Sequence, residues 1–369
     1  MSPTAALDPA VRYDASYEHL EQDEGGIQKQ LDESLLKISK TTLDDGGRPL
    51  RSVHAKSHGL LRARVQVLEG LPPELTQGIC AQVRAYDAII RLSTAPGDLL
   101  PDSVSTPRGF AIKLVDVPGP RLPGAEGAST QDFVTVNGGP VFATPTAKRF
   151  ATSLKMLAST TDKAEGAKKV LSAALRGMER VLEAVGGSSA TLVTLGGQPT
   201  NHLLGETFFS QVPILWGPFM AKISVVPVIS SLTNLTGKPL DLTDKPNAIR
   251  DSVVDYFSAN RAEWELRVQL NRNIDTMPLE DATVEWPEDV SAYLPVARVI
   301  AEKQVAWSEV RSAAVDAGMA FSPWHGIAAH RPLGSIMRLR KLAYETSAKF
   351  RASQGTLVRE PATLDGFPD

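Results

Sequence analysis

A histidine set among cations, and a tyrosine one helical turn from an arginine, are the residues best placed for chemistry in this 369-residue chain. His54 lies in "RSVHAKSHG", between Arg51 and Lys56 and just ahead of the alternating run "LLRARVQV". An imidazole with an ordinary pKa of about 6.5 can take up a proton and return it near neutral pH. The competing reading is a structural histidine at the start of a strand. In "RLRKLAYETSAKFR", Arg340 stands four residues before Tyr344, with Arg351 seven further on. The four-residue step puts Arg340 and Tyr344 on one helix face. Taken alone, such a tyrosine reads as ordinary helix surface with its hydroxyl in water. His325 and His330 in "PWHGIAAH" have no cysteine beside them and read as structural rather than metal-binding. His58 reads as a surface or supporting residue. The segment "GGSSATLVTLGG" (186–197) has glycine pairs at both ends but neither phosphate-binding pattern, so it reads as a loop and a strand and not a nucleotide site.

These residues can act together only if the surrounding elements position them. Within the polar stretch 9–39, Ile27, Leu31, Leu35 and Ile38 recur at spacings of four and three. That pattern predicts an amphipathic helical arm, broken at Gly25-Gly26. From 51 to about 145, the strand-like runs "LLRARVQV", "AIIRLST", "GFAIKLVDV" and "DFVTVN" alternate with turns such as "PGPRLPGAEGA", which predicts a sheet or barrel. Residues 146–185 read as two or three helices. "FMAKISVVPV" and "WELRVQLNRN" return to period two, and 297–319 reads as helical again. Strand-rich and helical blocks in succession, without regular βαβ alternation, argue for an α+β class. The expected organisation is an N-terminal helical arm over 1–44 and a single domain over 45–369.

Hydrophobic residues at 42% and charged residues at 22% allow a core large enough to enclose a ligand. A net charge of −3 gives no electrostatic reason to expect nucleic acid or an anionic membrane as partner. The single cysteine, Cys80, excludes an internal disulfide framework and any multi-cysteine metal centre. The N-terminus has no apolar signal segment, and no run approaches the roughly 18 apolar residues of a spanning helix. A cytoplasmic protein without a membrane span is expected.

Read together, "VHAK", "IRLST" (Ile90 to Thr94), "PRGFAIKL" (Pro107 to Leu114) and "DFVTVNGGPVF" (Asp132 to Phe142) resemble the haem-dependent catalase superfamily. The likeness runs over roughly 45–355 and is nearest to the small catalase-related peroxidases, in which stretches like "LGETFFSQVPILWG", "WELRVQL", "VEWPED" and "FSPWHGIAAHRPLGSI" recur. The resemblance implies a catalase-like antiparallel β-barrel enclosing haem, with helices around it, and haem b (iron protoporphyrin IX) as cofactor. On it, His54 is the distal histidine, Asn137 the distal asparagine and Ser93 the partner of the other histidine nitrogen. Val53 lies over the ring, Phe150 stacks on it, and Phe142 joins the cofactor contacts. Tyr344 is the axial ligand of the haem iron. Arg340 holds its phenolate ionised, because a cation within hydrogen-bond reach favours the charged form. Arg51, Arg91 and Arg351 pair with the propionates, and "FSPWHGIAAH" approaches the haem edge. Large catalases continue well beyond the 18 residues that follow Arg351 here.

Three positions depart from large catalases. Thr106 replaces the channel carboxylate, Ala95 the valine that narrows the channel, and Ala143 a second phenylalanine after Phe142. Loss of bulk and charge favours peroxidase chemistry over fast dismutation. The expectation is therefore an enzyme that reduces organic hydroperoxides with an organic reductant and dismutates hydrogen peroxide more slowly. One alternative is a fatty-acid hydroperoxide rearrangement enzyme of the allene oxide synthase type, which tends to carry threonine where this chain has Val53. The others are a haem-binding protein without turnover and a haem-free scaffold. The sequence leaves open whether the chain forms a homo-oligomer.

Overall fold

The computed structural model describes residues 8–104, 106–158 and 199–368. The helices expected after residue 158 and the loop and strand expected over 186–197 lie outside the described residues. The four alternating runs of the first half become β1 (Ser57–Val67), β2 (Ala85–Thr94), β3 (Arg108–Leu114) and β4 (Gln131–Val136). The second half adds β5 (Phe208–Phe209), β6 (Ile214–Trp216), β7 (Phe219–Pro227), β8 (Ala262–Leu270) and β9 (Leu294–Ala301). All strand pairs among the described residues are antiparallel. β1 pairs with both β2 and β9, and the two-residue β5 bridges β4 to β7, so eight strands close into a barrel with β6 folded back onto β7.

Period two explains the filling. Ala88, Ile90 and Leu92 of β2 join the main core with Leu61, Val65, Phe110, Phe133, Ile223 and Leu266. Phe110 meets Phe208 and Trp264 with both ring centroids at 5.2 Å. An eight-stranded barrel has room inside for side chains and little else. The alternate residues of β2 point outward, Ile89 into a separate cluster with Leu60, Val315 and Phe321, and with it Arg91 and Ser93. The stretch 297–319, read as helical, opens instead as β9, whose "LPVARVIA" alternates and is rich in β-branched residues. Helical turns appear only at Glu309–Ser312 and, as a π-turn, at Ala313–Ala317.

Among the described residues, four longer helices pack outside, α1 (Glu24–Gly46), α2 (Ala147–Ala158), α3 (Ala248–Ala259) and α4 (Ser335–Ser353). Ile27, Leu31, Leu35 and Ile38 of α1 are all buried, against Ala147, Ala151 and Leu154 of α2 and Leu339 and Ala343 of α4. Gly25-Gly26 does not interrupt α1 but lies in its first turn, where the Asp23 side chain accepts from the Gly26 N–H as N-cap. No helix among the described residues is long and apolar enough to cross a membrane.

Candidate functional site

His54 precedes β1, Ser93 lies near the end of β2, Gly109 near the start of β3 and Asn137 just after β4. Antiparallel pairing brings those ends together, with Ser93 opposite Gly109 and Gly109 opposite Val136. The distal candidates therefore meet at one rim of the barrel, outside its filled interior.

His54 has a left-handed backbone, φ 54°, which costs a non-glycine residue about 1–2 kcal/mol. Three hydrogen bonds hold it there: its N–H donates to Ala95 O at 2.7 Å, its carbonyl accepts from Arg91 Nη2 at 2.8 Å, and the Ala55 N–H donates to Pro96 O at 2.9 Å. Ser52 fastens the same segment to the helices, bonding Ser39 of α1 through its hydroxyl (2.7 Å) and Ser347 of α4 through its N–H (3.2 Å). The imidazole Nδ1 is 3.0 Å from Ser93 Oγ. Only glycine leaves room behind it, because a Cβ at Gly109 would stand 2.9 Å from the ring. Burial, then the charges of Arg91, Arg340 and Arg51, push the His54 pKa down to about 3, so the ring is neutral near pH 7.

Asn137 is fixed at both ends of its amide. Oδ1 accepts from the Arg108 N–H at 2.8 Å, and Nδ2 donates to Glu206 Oε2 at 2.9 Å. Arg108 is itself buried and donates to the carbonyls of Asn201 and Pro199.

On α4, Arg340 Nη2 donates to Tyr344 Oη at 2.8 Å, and its guanidinium lies 5.4 Å from the ring centroid. Arg338 anchors the start of this helix to Glu18, Glu24 and Glu280, at 2.9, 2.7 and 2.9 Å. Trp324 Nε1 donates to Met337 O at 2.7 Å. Ser52, two residues before His54, bonds Ser347 of α4, three residues after Tyr344, so the segment of His54 packs against the helix of Arg340 and Tyr344. Phe142 and Phe150 are in edge contact at 5.3 Å, and Val53 and Phe150 pack on the helical cluster. Val53, His54, Phe142, Phe150, Arg340 and Tyr344 all retain partly accessible surface.

Arg51, Arg91 and Arg351 converge on the turn around Asp316, a residue not singled out in the sequence. The Asp316 carboxylate accepts from Arg91 Nε at 2.7 Å and from the hydroxyls of Ser57 and Ser312. Arg351 Nη1 donates to the carbonyls of Asp316 and Ala317, while Arg51 Nη2 donates to those of Val315 and Met319. Burial, followed by the neighbouring guanidiniums, lowers the pKa of Arg51 well below its usual value; burial and Arg91 bring that of Arg351 to about 10. Among the described residues, Arg51 Nε and Arg351 Nε are buried with no hydrogen-bond partner. Three guanidiniums against one carboxylate leave two positive charges uncompensated within this group. That donor set fits a ligand bearing two carboxylates, as haem does.

The remaining histidines behave differently from one another. His58 is fully buried, not at the surface, 3.3 Å from Thr94 Oγ1. His330 is structural: Nε2 accepts from the Ile79 N–H at 2.9 Å, and the ring packs 4.5 Å from Trp216. His325 lies 3.4 Å from Asp132 and 3.3 Å from Glu360. Burial opposes its charge, but those two carboxylates outweigh burial and raise its pKa to about 9. The three groups could together ligate a cation, yet Lys113 Nζ already sits between the carboxylates, 2.7 Å from Asp132 and in contact with Glu360. They form an ion-paired lock on the C-terminal segment.

No family model and no curated protein matches the sequence. Solved structures do match. A fungal catalase aligns over 96% of this chain and 68% of its own, with TM-score 0.59 at 17% identity. Catalase A from Saccharomyces cerevisiae aligns over 93% and 68%, TM-score 0.58 at 16% identity. A bacterial catalase aligns over 95% and 64%, TM-score 0.58 at 14% identity. The chain thus spans about two thirds of the length of these catalases. The likeness extends across the closed barrel and the helices outside it: this chain has the catalase fold.

Proposed function

We propose that the chain is a haem-dependent enzyme that reduces organic hydroperoxides and, more slowly, dismutates hydrogen peroxide. The observation that supports this reading is the Arg340–Tyr344 hydrogen bond of 2.8 Å on what would be one side of the haem, together with neutral His54 held against Ser93 at 3.0 Å on what would be the other. Tyr344 Oη would hold the haem iron, with Arg340 stabilising its anion. Arg51, Arg351 and Arg91 would receive the propionates, and Val53, Phe142 and Phe150 would form the apolar walls. When bound, haem supplies the iron whose two-electron redox chemistry cleaves the peroxide O–O bond.

The protein's own part is proton handling. With Nδ1–H donated to Ser93 Oγ, His54 presents the Nε2 lone pair, takes the proton from the inner peroxide oxygen and delivers it to the outer one. The second Nδ2–H of Asn137 would bond the peroxide. An alcohol and water leave once an organic reductant has supplied two electrons and two protons. Small side chains at Ala95, Ala143 and Thr106, all partly accessible, leave room for an alkyl group. Thr106 carries no charge, but Glu206 places a carboxylate beside Asn137.

The test is an absorption spectrum of protein expressed with haem supply, before and after one equivalent of an alkyl hydroperoxide. A Soret band that responds to peroxide, with consumption of the hydroperoxide, is expected. No Soret band would leave a haem-free scaffold, and an unresponsive one a binding protein.

A further inference from the structure

Asn137 carries one group beyond those the chain resemblance names. Glu206 follows the tight turn Leu203–Gly205 and leads into β5, and Phe209 of β5 pairs with Val136 of β4. Barrel closure therefore delivers Glu206 beside Asn137. The turn is rigidly seated: a Cβ at Gly205 would lie 2.5 Å from the Leu235 backbone, and the Gly205 carbonyl accepts from Thr236 Oγ1 at 3.0 Å. Glu206 Oε1 is 3.9 Å from Arg108 Nη1, so its charge is partly balanced.

We infer that Glu206 is a positioning residue, which clamps the Asn137 amide so that its second N–H is presented to the substrate peroxide. Rotating the amide by a half turn would set Oδ1 against the Glu206 carboxylate and Nδ2 against the Arg108 N–H, opposing acceptor to acceptor and donor to donor. One orientation survives. The Arg108 N–H already favours oxygen at its end, and Glu206 adds a second constraint by taking up one of the two amide hydrogens, which leaves the other for the substrate. The inference rests on the peroxide-binding role of Asn137 proposed above and supplies what orients it.

The experiment compares Glu206→Gln, which keeps an acceptor, with Glu206→Met, which keeps volume without one, in parent and Asn137→Ala backgrounds. Alkyl hydroperoxide turnover is measured with a phenolic reductant, and the Asn137 side-chain amide resonances are followed by ¹⁵N NMR in haem-free protein. E206M should lower kcat by about tenfold to a hundredfold, the scale of one lost charge-assisted hydrogen bond, with KM and haem content little changed. E206Q should recover most of that loss. In the Asn137→Ala background E206M should add nothing, and in the parent it should shift the bonded Asn137 N–H resonance. A further loss in the Asn137→Ala background, or an unshifted resonance, overturns the clamp. If E206M does not fold, E206A gives the same readings without overfilling the site. A parent that turns over no hydroperoxide sinks the functional reading and with it the role of Glu206, whereas the amide spectrum still decides whether the clamp exists.

Discussion

On α4, Arg340, Tyr344 and Arg351 belong to one continuous helix, whereas His54, Ser93, Gly109, Asn137 and Glu206 come from five separate segments gathered at the barrel rim. The helix needs only its own period to bring Arg340 to Tyr344, and packing on α1 and α2 holds it in place. The rim depends on strand register, on a strained backbone at His54 and on the absence of a side chain at Gly109. The difference is one of tolerance. A group that must only be a ligand beside a cation can ride on a regular element. Groups that must take a proton from one atom and return it to another need individual aim, and that aim is supplied by long-range contacts. Asp316 ties the halves together, because Arg91 bonds both its carboxylate and the His54 carbonyl, while Arg351 of α4 bonds its main chain.

Removing the proximal oxygen should have the largest effect. Tyr344→Phe leaves Arg340 without its hydroxyl partner and the haem without a protein ligand, so haem content should collapse although the helix persists. Full haem with an unchanged Soret band would show that the proximal side does not carry the ligand.

The distal side should break differently. His54→Ala should retain haem yet slow peroxide cleavage by about 10²–10⁴-fold, the range for a positioned acid–base group. The pH profile sharpens the contrast. Since the folded-state pKa of His54 is about 3, the base stays competent as pH falls from 7 to 5, where a solvent-exposed histidine of pKa about 6.5 would already be charged. The depressed value also means that the unfolded chain takes up the proton first. The stability associated with neutral His54 is complete above about 6.5 and is lost as pH falls toward about 3. His330, lowered to about 4 mainly by burial, acts in the same direction, while His325, raised to about 9, favours the folded state below about 6.5 and loses that contribution as pH rises through 9. A rate that halves near pH 6.5 while the fold is intact would contradict the environment assigned to His54.

Much of the proximal side was legible because its information is local. The spacing of Arg340 and Tyr344, like that of Ile27, Leu31, Leu35 and Ile38, maps directly onto a helix face. Alternation likewise announces β1 to β4, and the two-residue period of a strand explains why Arg91 and Ser93 share one side. What stayed hidden depends on distant pairing. Barrel closure turns on Phe208 and Phe209, a strand too short to show a period. Glu206 is one acid in "LGETFF" and Asp316 one acid in "AAVDAG"; neither has a local pattern, and Glu206 meets Asn137 and Asp316 meets Arg91 and Ser57 only when segments far apart in sequence come together. Residues 297–301 carry Ala and Val in a spacing that suits both periods, and their pairing with β1 and β8 makes them strand.

The smallest expected effect concerns substrate choice. Ala95 lies at the rim, where its carbonyl holds the His54 N–H, and Thr106 lies two residues before Arg108, whose N–H orients Asn137. Both side chains remain partly accessible, so substitutions there should alter the approach to the site without moving His54 or Asn137. Adding a branched side chain at 95 should hinder an alkyl hydroperoxide more than hydrogen peroxide, and a carboxylate at 106 should help orient the small polar peroxide. In the Thr106→Asp, Ala95→Val double variant, alkyl hydroperoxide turnover should therefore fall and oxygen release from hydrogen peroxide should rise. Discrimination by one or two methyl groups amounts to about 1–3 kcal/mol, or roughly 10–200-fold. Glu206 already supplies a carboxylate near Asn137, so the rise in oxygen release should be smaller than the fall in alkyl hydroperoxide turnover. If the parent dismutates hydrogen peroxide near the diffusional ceiling of about 10⁸ M⁻¹s⁻¹ and ignores alkyl hydroperoxides, small side chains at 95, 106 and 143 do not set its specificity.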